Sequence, residues 1–471
     1  MKQLLALLLG LTLLSGCAPQ SQTVDHDAST PPPSQSQPAP AAPEPTVAHL
    51  MVAGDIMSHM PITKDAYVAQ EDRYDYGHML QFAARPLSAA DYAVGNLETT
   101  LAGGPNYSGY PAFNSPDALA YDAKDAGFDL LSTANNHCRD KGLDGLYRTL
   151  DVLDEAGLAH VGTYRSQAER DENSGIYVAD VGGISVAFLS YTYGLNGFQL
   201  SSDTMYAANL FNLDYYTTLS QPNKALMETD LAAARALDTD LIAVMIHWGV
   251  EYQDTQNSYQ KSLAEFLVGQ GADLVLGGHP HVLQPYETVT ATGWDGTERQ
   301  GFVCYSLGNF LSNQQELETK TTAILDLELT KDAQGETTVT GVSYTPYYMI
   351  HRDGAPVGQR RYLVNIHEAM AEYEAGTSST SAPPPTRSCK MLLPTVTRFS
   401  ALRTIPRFLE RKRGKELSAK LRFASTKLRR CLVDWFCSVY RKKKTDRSPK
   451  RGAICFFKGF FPFLTEQREC G

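Results

Sequence analysis

Short apolar runs that end abruptly in a polar cluster recur along this chain. Val47 to Ala53 ends in Gly54-Asp55, Asp91 to Gly95 in Asn96-Leu97-Glu98, and Phe128 to Ser132 in Thr133-Ala134-Asn135-Asn136-His137. Leu241 to Ile246 ends in His247-Trp248-Gly249-Val250-Glu251, and Phe302 to Leu307 in Gly308-Asn309-Phe310. With Ile184 to Ser190, these runs read as buried strands. Helical patterns lie between them: Met79 to Ala90, Pro116 to Ala126, Leu143 to Ala156 with Leu146, Leu150 and Leu153 on one face, Lys224 to Leu237, and Ser258 to Gly269. Strand and helix in alternation predict an α/β fold with parallel strands. Thr322 to Thr330 and Glu336 to Tyr344 instead alternate apolar and polar residues, as antiparallel strands with one wet face do. Asn196 to Leu219, rich in tyrosine and asparagine with little periodicity, reads as an insertion or lid near a site.

One stretch organises the rest. Ala272 to Leu276 is a buried strand, and Gly277-Gly278 lets the backbone turn before His279-Pro280-His281. Pro280 biases His279 towards extended geometry, and in an extended chain His279 and His281 project to the same side. Two imidazoles leaving a strand together make half of a metal site. A solvated turn is the plain alternative.

Composition changes the picture at the two ends. The net charge of −10 over 471 residues hides two opposed parts. Arg387 to Gly471 holds 23 lysines and arginines against 6 acidic residues, and the remainder 19 against 46. The acidic body does not attract a polyanion broadly, and no nucleic-acid partner is expected. At the N-terminus Lys2, the apolar Leu4 to Leu14 and Leu14-Ser15-Gly16-Cys17 resemble a lipoprotein signal with a lipobox, Cys17 being the lipidated residue. An ordinary secretory peptide is the alternative. Residues 18–46, mostly Ser, Thr, Pro, Gln and Ala, cannot bury a core and read as a disordered tether. The expected layout is a signal at 1–17, the tether, a main domain at 47–375, and a linker with a basic tail at 376–471. That tail would bind anionic lipid or an acidic polymer, or be an accessory or foreign segment. The whole reads as an exported lipoprotein at the cell surface or in the periplasm. No CxxC zinc pattern is present, and Cys138 reads as a small packed residue.

Parallel strands bring their polar ends to one edge of a sheet. Asp55, Asn96, Glu98, Asn135, Asn136, His137, His247, Glu251, His279 and His281 then converge as carboxylates, amides and imidazoles without thiolate. That donor mix suits Mn, Fe, Zn or Mg rather than a structural zinc, and two such ions could clamp both oxygens of a displacement. Singly, Asp55 could cap a helix, Asn135 could serve a turn, and His247 could be a core histidine.

Together, Gly54-Asp55, Asn96-Leu97-Glu98, Asn135-Asn136-His137 with Asp140 and Gly142, His247-Trp248-Gly249-x-Glu251 and Gly278-His279-Pro280-His281-Val282-x-Gln284-Pro285 resemble the CapA family. That family is associated with bacterial poly-γ-glutamate capsule synthesis and is similar in turn to calcineurin-like metallophosphoesterases. The resemblance spans Val47 to Met349. It implies a four-layer α/β/β/α sandwich of the metallo-dependent phosphatase kind, with two divalent metals (Mn, Fe or Zn). Carried over, it implies metal ligation by Asp55, Glu98, Asn136, His247, His279 and His281, with Glu98 in the bridging place. His137 would assist the leaving group, and Asn96, Asn135, Asp140 and Glu251 would support the site. One departure stands out. Phosphoesterases have Asp-x-His at the first strand, whereas the third position here is Met57, and His59 is a candidate replacement.

Three functions follow as expectations: a surface-anchored CapA-type protein making, exporting or anchoring an anionic γ-glutamyl polymer beside membrane-bound synthase subunits; a phosphoesterase acting on phosphorylated envelope or nucleotide substrates; or a non-catalytic scaffold of a polymer-synthesis complex.

Overall fold

The computed structural model describes residues 44–375. The lipobox cysteine Cys17, nearly all of the 18–46 tether and the 376–471 tail lie outside the described residues.

Two sheets form. In spatial order the first holds Arg361–Asn365, Thr337–His351, Thr321–Lys331, Thr46–Ile56, Tyr92–Leu97, Leu130–Ser132 and Ala159–Val161, with Asn309–Leu311 also pairing to Thr46–Ile56. The second holds Leu283–Thr292, Glu298–Leu307, Leu274–Gly278, Leu241–His247, Ile184–Thr192 and Tyr177–Val181. Thr46–Ile56, Tyr92–Leu97 and Leu130–Ser132 run parallel in the first sheet. Ile184–Thr192, Leu241–His247, Leu274–Gly278 and Glu298–Leu307 run parallel in the second. These strands carry the polar clusters, so their C-terminal ends share one edge, as the alternation of strand and helix predicts.

Period-two alternation explains the layering. Val186, Phe188, Ala243, Met245 and Leu276 of the second sheet face Val52, Val94 and Leu130 of the first, forming the core between the sheets. The residues between them, Ala187, Leu189, Ile242 and Val244, point outward onto Leu231, Leu263 and Leu267 of helices Lys224–Ala236 and Ser258–Gly269. On the far side, Ala93 and Leu131 pack against Leu80, Leu87, Leu119 and Leu150 of helices Gly77–Ser88, Ala118–Asp125 and Gly142–Glu155. Each large aliphatic side chain so buried contributes about 1.5–3 kcal/mol of transfer free energy. The result is the expected α/β/β/α sandwich.

Seven strands escape the sequence pattern, among them the two- and three-residue Tyr67–Val68, Arg73–Tyr74 and Asn309–Leu311. Ala159–Val161 is three residues long, too short for periodicity, and Tyr177–Val181 and Arg361–Asn365 are edge strands. Leu283–Thr292 contains Pro285, which argues against a strand, yet it lies at the edge of its sheet, where a missing N–H costs no ladder bond. The 196–219 segment holds one short 3-10 turn, Met205–Ala207, and otherwise only isolated bridges. Among the described residues no helix is long and apolar enough to cross a membrane.

Candidate metal centre

Close backbone approach builds the site floor. A Cβ on Gly54 would stand 1.9 Å from Gly308 O, and the next residue's N–H, that of Asp55, donates to that oxygen at 2.9 Å. A Cβ on Gly278 would stand 2.6 Å from Asp55 Oδ1, so glycine there admits the carboxylate. Asp55 sits within its strand. Its Oδ1 accepts from Asn96 Nδ2 at 2.8 Å and its Oδ2 from the His279 N–H at 3.1 Å, and it caps no helix.

Around Asp55 the structure gathers the expected ligands. Ligand atoms of Glu98, His247 and His279 lie within 4.8 Å of one another, and so do those of Asp55, Glu98 and His281. Asn136 Oδ1 lies 2.8 Å from His247 Nε2, which is 3.4 Å from Glu98 Oε1. His281 Nδ1 is 3.4 Å from Asp55 Oδ2, and its Nε2 is 3.9 Å from Glu98 Oε1. Glu98 belongs to both groups, the position a bridging carboxylate takes.

Glu98 supplies the test of fit. It is 0% exposed, and neither carboxylate oxygen accepts a hydrogen bond from any described residue. Nδ1 of His279 and Nδ1 of His281 are likewise buried without a hydrogen-bond partner. Stranded polar atoms cost about 1–3 kcal/mol each, more when charged. A carboxylate left bare among three imidazoles is the donor set of a divalent cation.

The electrostatics agree. Burial and the neighbouring His247 and His281 hold His279 well below the usual imidazole range, so its ring is neutral and ready to ligate. Burial opposes charge on His281, but Glu98 and Asp55 outweigh it and push its pKa up to about 9. Burial likewise works against ionised Asp55, yet His281, His247 and Asn96 hold its carboxyl below the ordinary value.

The remaining expected residues surround these. His137 Nδ1 faces Asp140 Oδ2 at 2.7 Å, so Nδ1 carries the proton and Nε2 is the basic nitrogen. Asp140 Oδ2 also accepts the Phe113 N–H at 2.6 Å, and the Phe113 ring stands edge-on to His137 with centroids 4.7 Å apart. Asn135 Nδ2 donates to Leu97 O at 2.7 Å and to Asn96 Oδ1 at 3.2 Å, and its Oδ1 accepts the His137 N–H at 3.1 Å. Asn135 thereby ties the Glu98 and His137 loops together. Exposed Glu251 forms a third group with His279 and His281 within the same 4.8 Å limit.

One expectation needs correcting, and the place of His59, left open in the sequence, can be described. His279 and His281 do not share the site by strand alternation. The strand ends at Gly278, and φ is 96° at His279 and 59° at His281, despite Pro280. Such values in non-glycine residues store roughly 1–3 kcal/mol of strain, which the packed site holds in place. His59 joins none of the three groups. Its Nδ1 accepts the Asn313 N–H at 3.3 Å, its ring packs edge-on to Phe113, and burial lowers its pKa to about 4.

Sequence reasoning missed Tyr193 and Asn196. Tyr193 stacks on His247 with centroids 6.2 Å apart and lies 4.5 Å from the His279 ring. Burial and the nearby Glu98 and Glu251 push its phenol above the ordinary range, so its hydroxyl stays neutral. Asn196 Oδ1 accepts from Asn136 Nδ2 at 3.0 Å, and its amide contacts His137 Nδ1 at 3.3 Å. Tyr193 follows the strand Ile184–Thr192, so the strand-then-polar rule that found the others points to it too.

Comparison with known proteins adds a family. The family described as "Bacterial capsule synthesis protein PGA_cap" matches residues 49–314. The "Capsule biosynthesis protein CapA" of Bacillus anthracis is 29% identical over 293 residues, 59% of this chain and 63% of that protein. The "PGA biosynthesis protein CapA" of Bacillus subtilis (strain 168) is 28% identical over 293 residues, 61% of this chain and 70% of its own length. The chain thus spans a little under two thirds of the Bacillus anthracis relative. Among solved structures, a 5'-nucleotidase precursor from Thermus thermophilus shows 17% identity and a TM-score of 0.38, covering 76% of this chain and 59% of that one. The calcineurin-like phosphoesterase YfkN from Bacillus subtilis shows 12% identity and a TM-score of 0.37, over 76% and 100% respectively.

Proposed function

This chain belongs to the bacterial capsule synthesis protein family, and from that premise we propose that it is a two-cation hydrolase acting on a γ-glutamyl polymer during capsule production. One observation carries the hydrolytic part: the bare, fully buried carboxylate of Glu98 between two groups of buried ligands. Glu98, Asn136, His247 and His279 would hold one cation, and Asp55, Glu98 and His281 the other. Bound there, divalent cations polarise a substrate oxygen and make a bound water nucleophilic near neutral pH.

The chain's own residues do the rest. Asp140 fixes the His137 tautomer, which leaves the basic Nε2 to take a proton from the water as it adds to the γ-glutamyl carbonyl and to hand that proton to the departing nitrogen as the C–N bond breaks. The Phe113 ring, edge-on to that imidazole, packs it in place. Because the body of the protein is acidic, attraction of an anionic polymer is local, at the cations. Anchoring at the cell surface through lipidated Cys17 is supported by the sequence alone.

The test incubates the full chain with manganese and either poly-γ-glutamate or a generic phosphodiester, beside His137→Ala. Shortening of the polymer that is lost in the variant supports this reading. Turnover confined to the phosphodiester replaces it with a phosphoesterase. Cation binding without turnover of either leaves a scaffold.

A further inference from the structure

Resting on that reading, we propose that Glu251 donates a carboxylate oxygen to the cation position held by Asp55 and His281, supplying the donor that Met57 withholds. That position is otherwise short of ligands. Glu98, Asn136, His247 and His279 serve one cation with four side chains, whereas Asp55, Glu98 and His281 serve the other with three. The place two residues after Asp55, from which a side chain could reach the same cation, is taken by Met57, 2% exposed, with its N–H bound to Leu311 O at 2.7 Å. His59 does not compensate, because its Nδ1 is engaged by the Asn313 N–H and it joins no ligand group.

Glu251 does reach. Single ligand atoms of Glu251, His279 and His281 lie within 4.8 Å of one another. Its loop is fixed against the histidines rather than free. The Tyr252 N–H donates to Pro280 O, between the two histidines, at 2.8 Å. Gln284 Nε2 donates to Gln253 O at 2.8 Å, and the Tyr252 ring stands 6.2 Å from that of His281. Gly249, with φ 89°, turns the chain out of the His247 strand so that Glu251 approaches from the solvent side.

Charge points the same way. Asp55 and Glu98 bring two negative charges to a site for two dications, and Glu251 makes three. The single positive charge remaining suits a hydroxide or one carboxylate of the substrate.

The test counts cations. The full chain and Glu251→Gln are stripped, loaded with manganese, and measured by elemental analysis and titration calorimetry, with unfolding of the stripped proteins as the check on folding. Wild type should hold two manganese ions. Glu251→Gln should hold one at unchanged affinity and bind the second at least about tenfold more weakly, the scale of loss seen when a supporting ligand contact is removed. Two ions bound with wild-type affinity in Glu251→Gln overturns the proposal. Loss of both ions also overturns it, since a donor to one position leaves the other filled. Wild type binding no manganese instead defeats the two-cation reading itself.

Discussion

Glu98→Gln should abolish most of the stability that metal gives this protein while leaving the stripped fold intact. Glu98 is the shared member of both ligand groups and is fully buried. A cation present at a thousand times its dissociation constant stabilises the folded state by about 4.1 kcal/mol, so two give about 8 kcal/mol. If the lost carboxylate weakens each site about a hundredfold, the same cation concentration gives only about 1.4 kcal/mol per site. The variant then gains about 3 kcal/mol, a deficit of about 5 kcal/mol. For a domain of this size that is on the order of 10 °C in the midpoint of unfolding. In the stripped protein the amide relieves a carboxylate without hydrogen bonds but gives up its attraction to His281, so the metal-induced shift is read against each protein's own stripped form. Thermal unfolding of both proteins with EDTA and with manganese reads all of this. A metal-induced shift in Glu98→Gln equal to that of wild type would refute the bridging role.

Other residues yield further expectations. Asp140→Asn should keep its metal and its fold but lose about 10²–10⁴-fold in turnover, because an amide no longer holds the His137 tautomer; elemental analysis beside steady-state kinetics separates the two. His281, pushed up to about 9, keeps a proton in the metal-free protein that a cation must displace, so manganese affinity should climb between about pH 7 and 9 and level off above, with proton release visible by calorimetry. The same raised value stabilises the metal-free fold fully below the ordinary imidazole pKa, about 6.5, and that contribution is lost as pH rises through about 9. Gly54→Ala should fail to fold or lose several kcal/mol by denaturant unfolding, since its Cβ would stand 1.9 Å from a backbone oxygen.

Much of this site is legible in the sequence, for a definite reason. Parallel strands end at one edge, so each polar cluster after an apolar run marks a point on the same rim, and Asp55, Glu98, Asn136, His247, His279 and His281 all stand in such clusters. Contacts made by loops are not legible. The left-handed backbone at His279 and His281 comes from how Tyr252 and Asp55 grip that turn, which no local propensity encodes. Asn196 reaches His137 from a segment without periodicity, and Phe113 has no signal at all. The departure at Met57 is visible in the sequence, but the carboxylate that fills in for it comes from a distant loop. Glu251, read from the sequence as a supporting residue, lies within ligand distance of His279 and His281.

The most direct test of the account is the metal content and hydrolytic turnover of the full chain beside a His279→Ala, His281→Ala double variant. Two divalent cations per chain, both lost together with turnover in the variant, is the predicted result. A wild-type protein that takes up no manganese, iron or zinc after loading would contradict it.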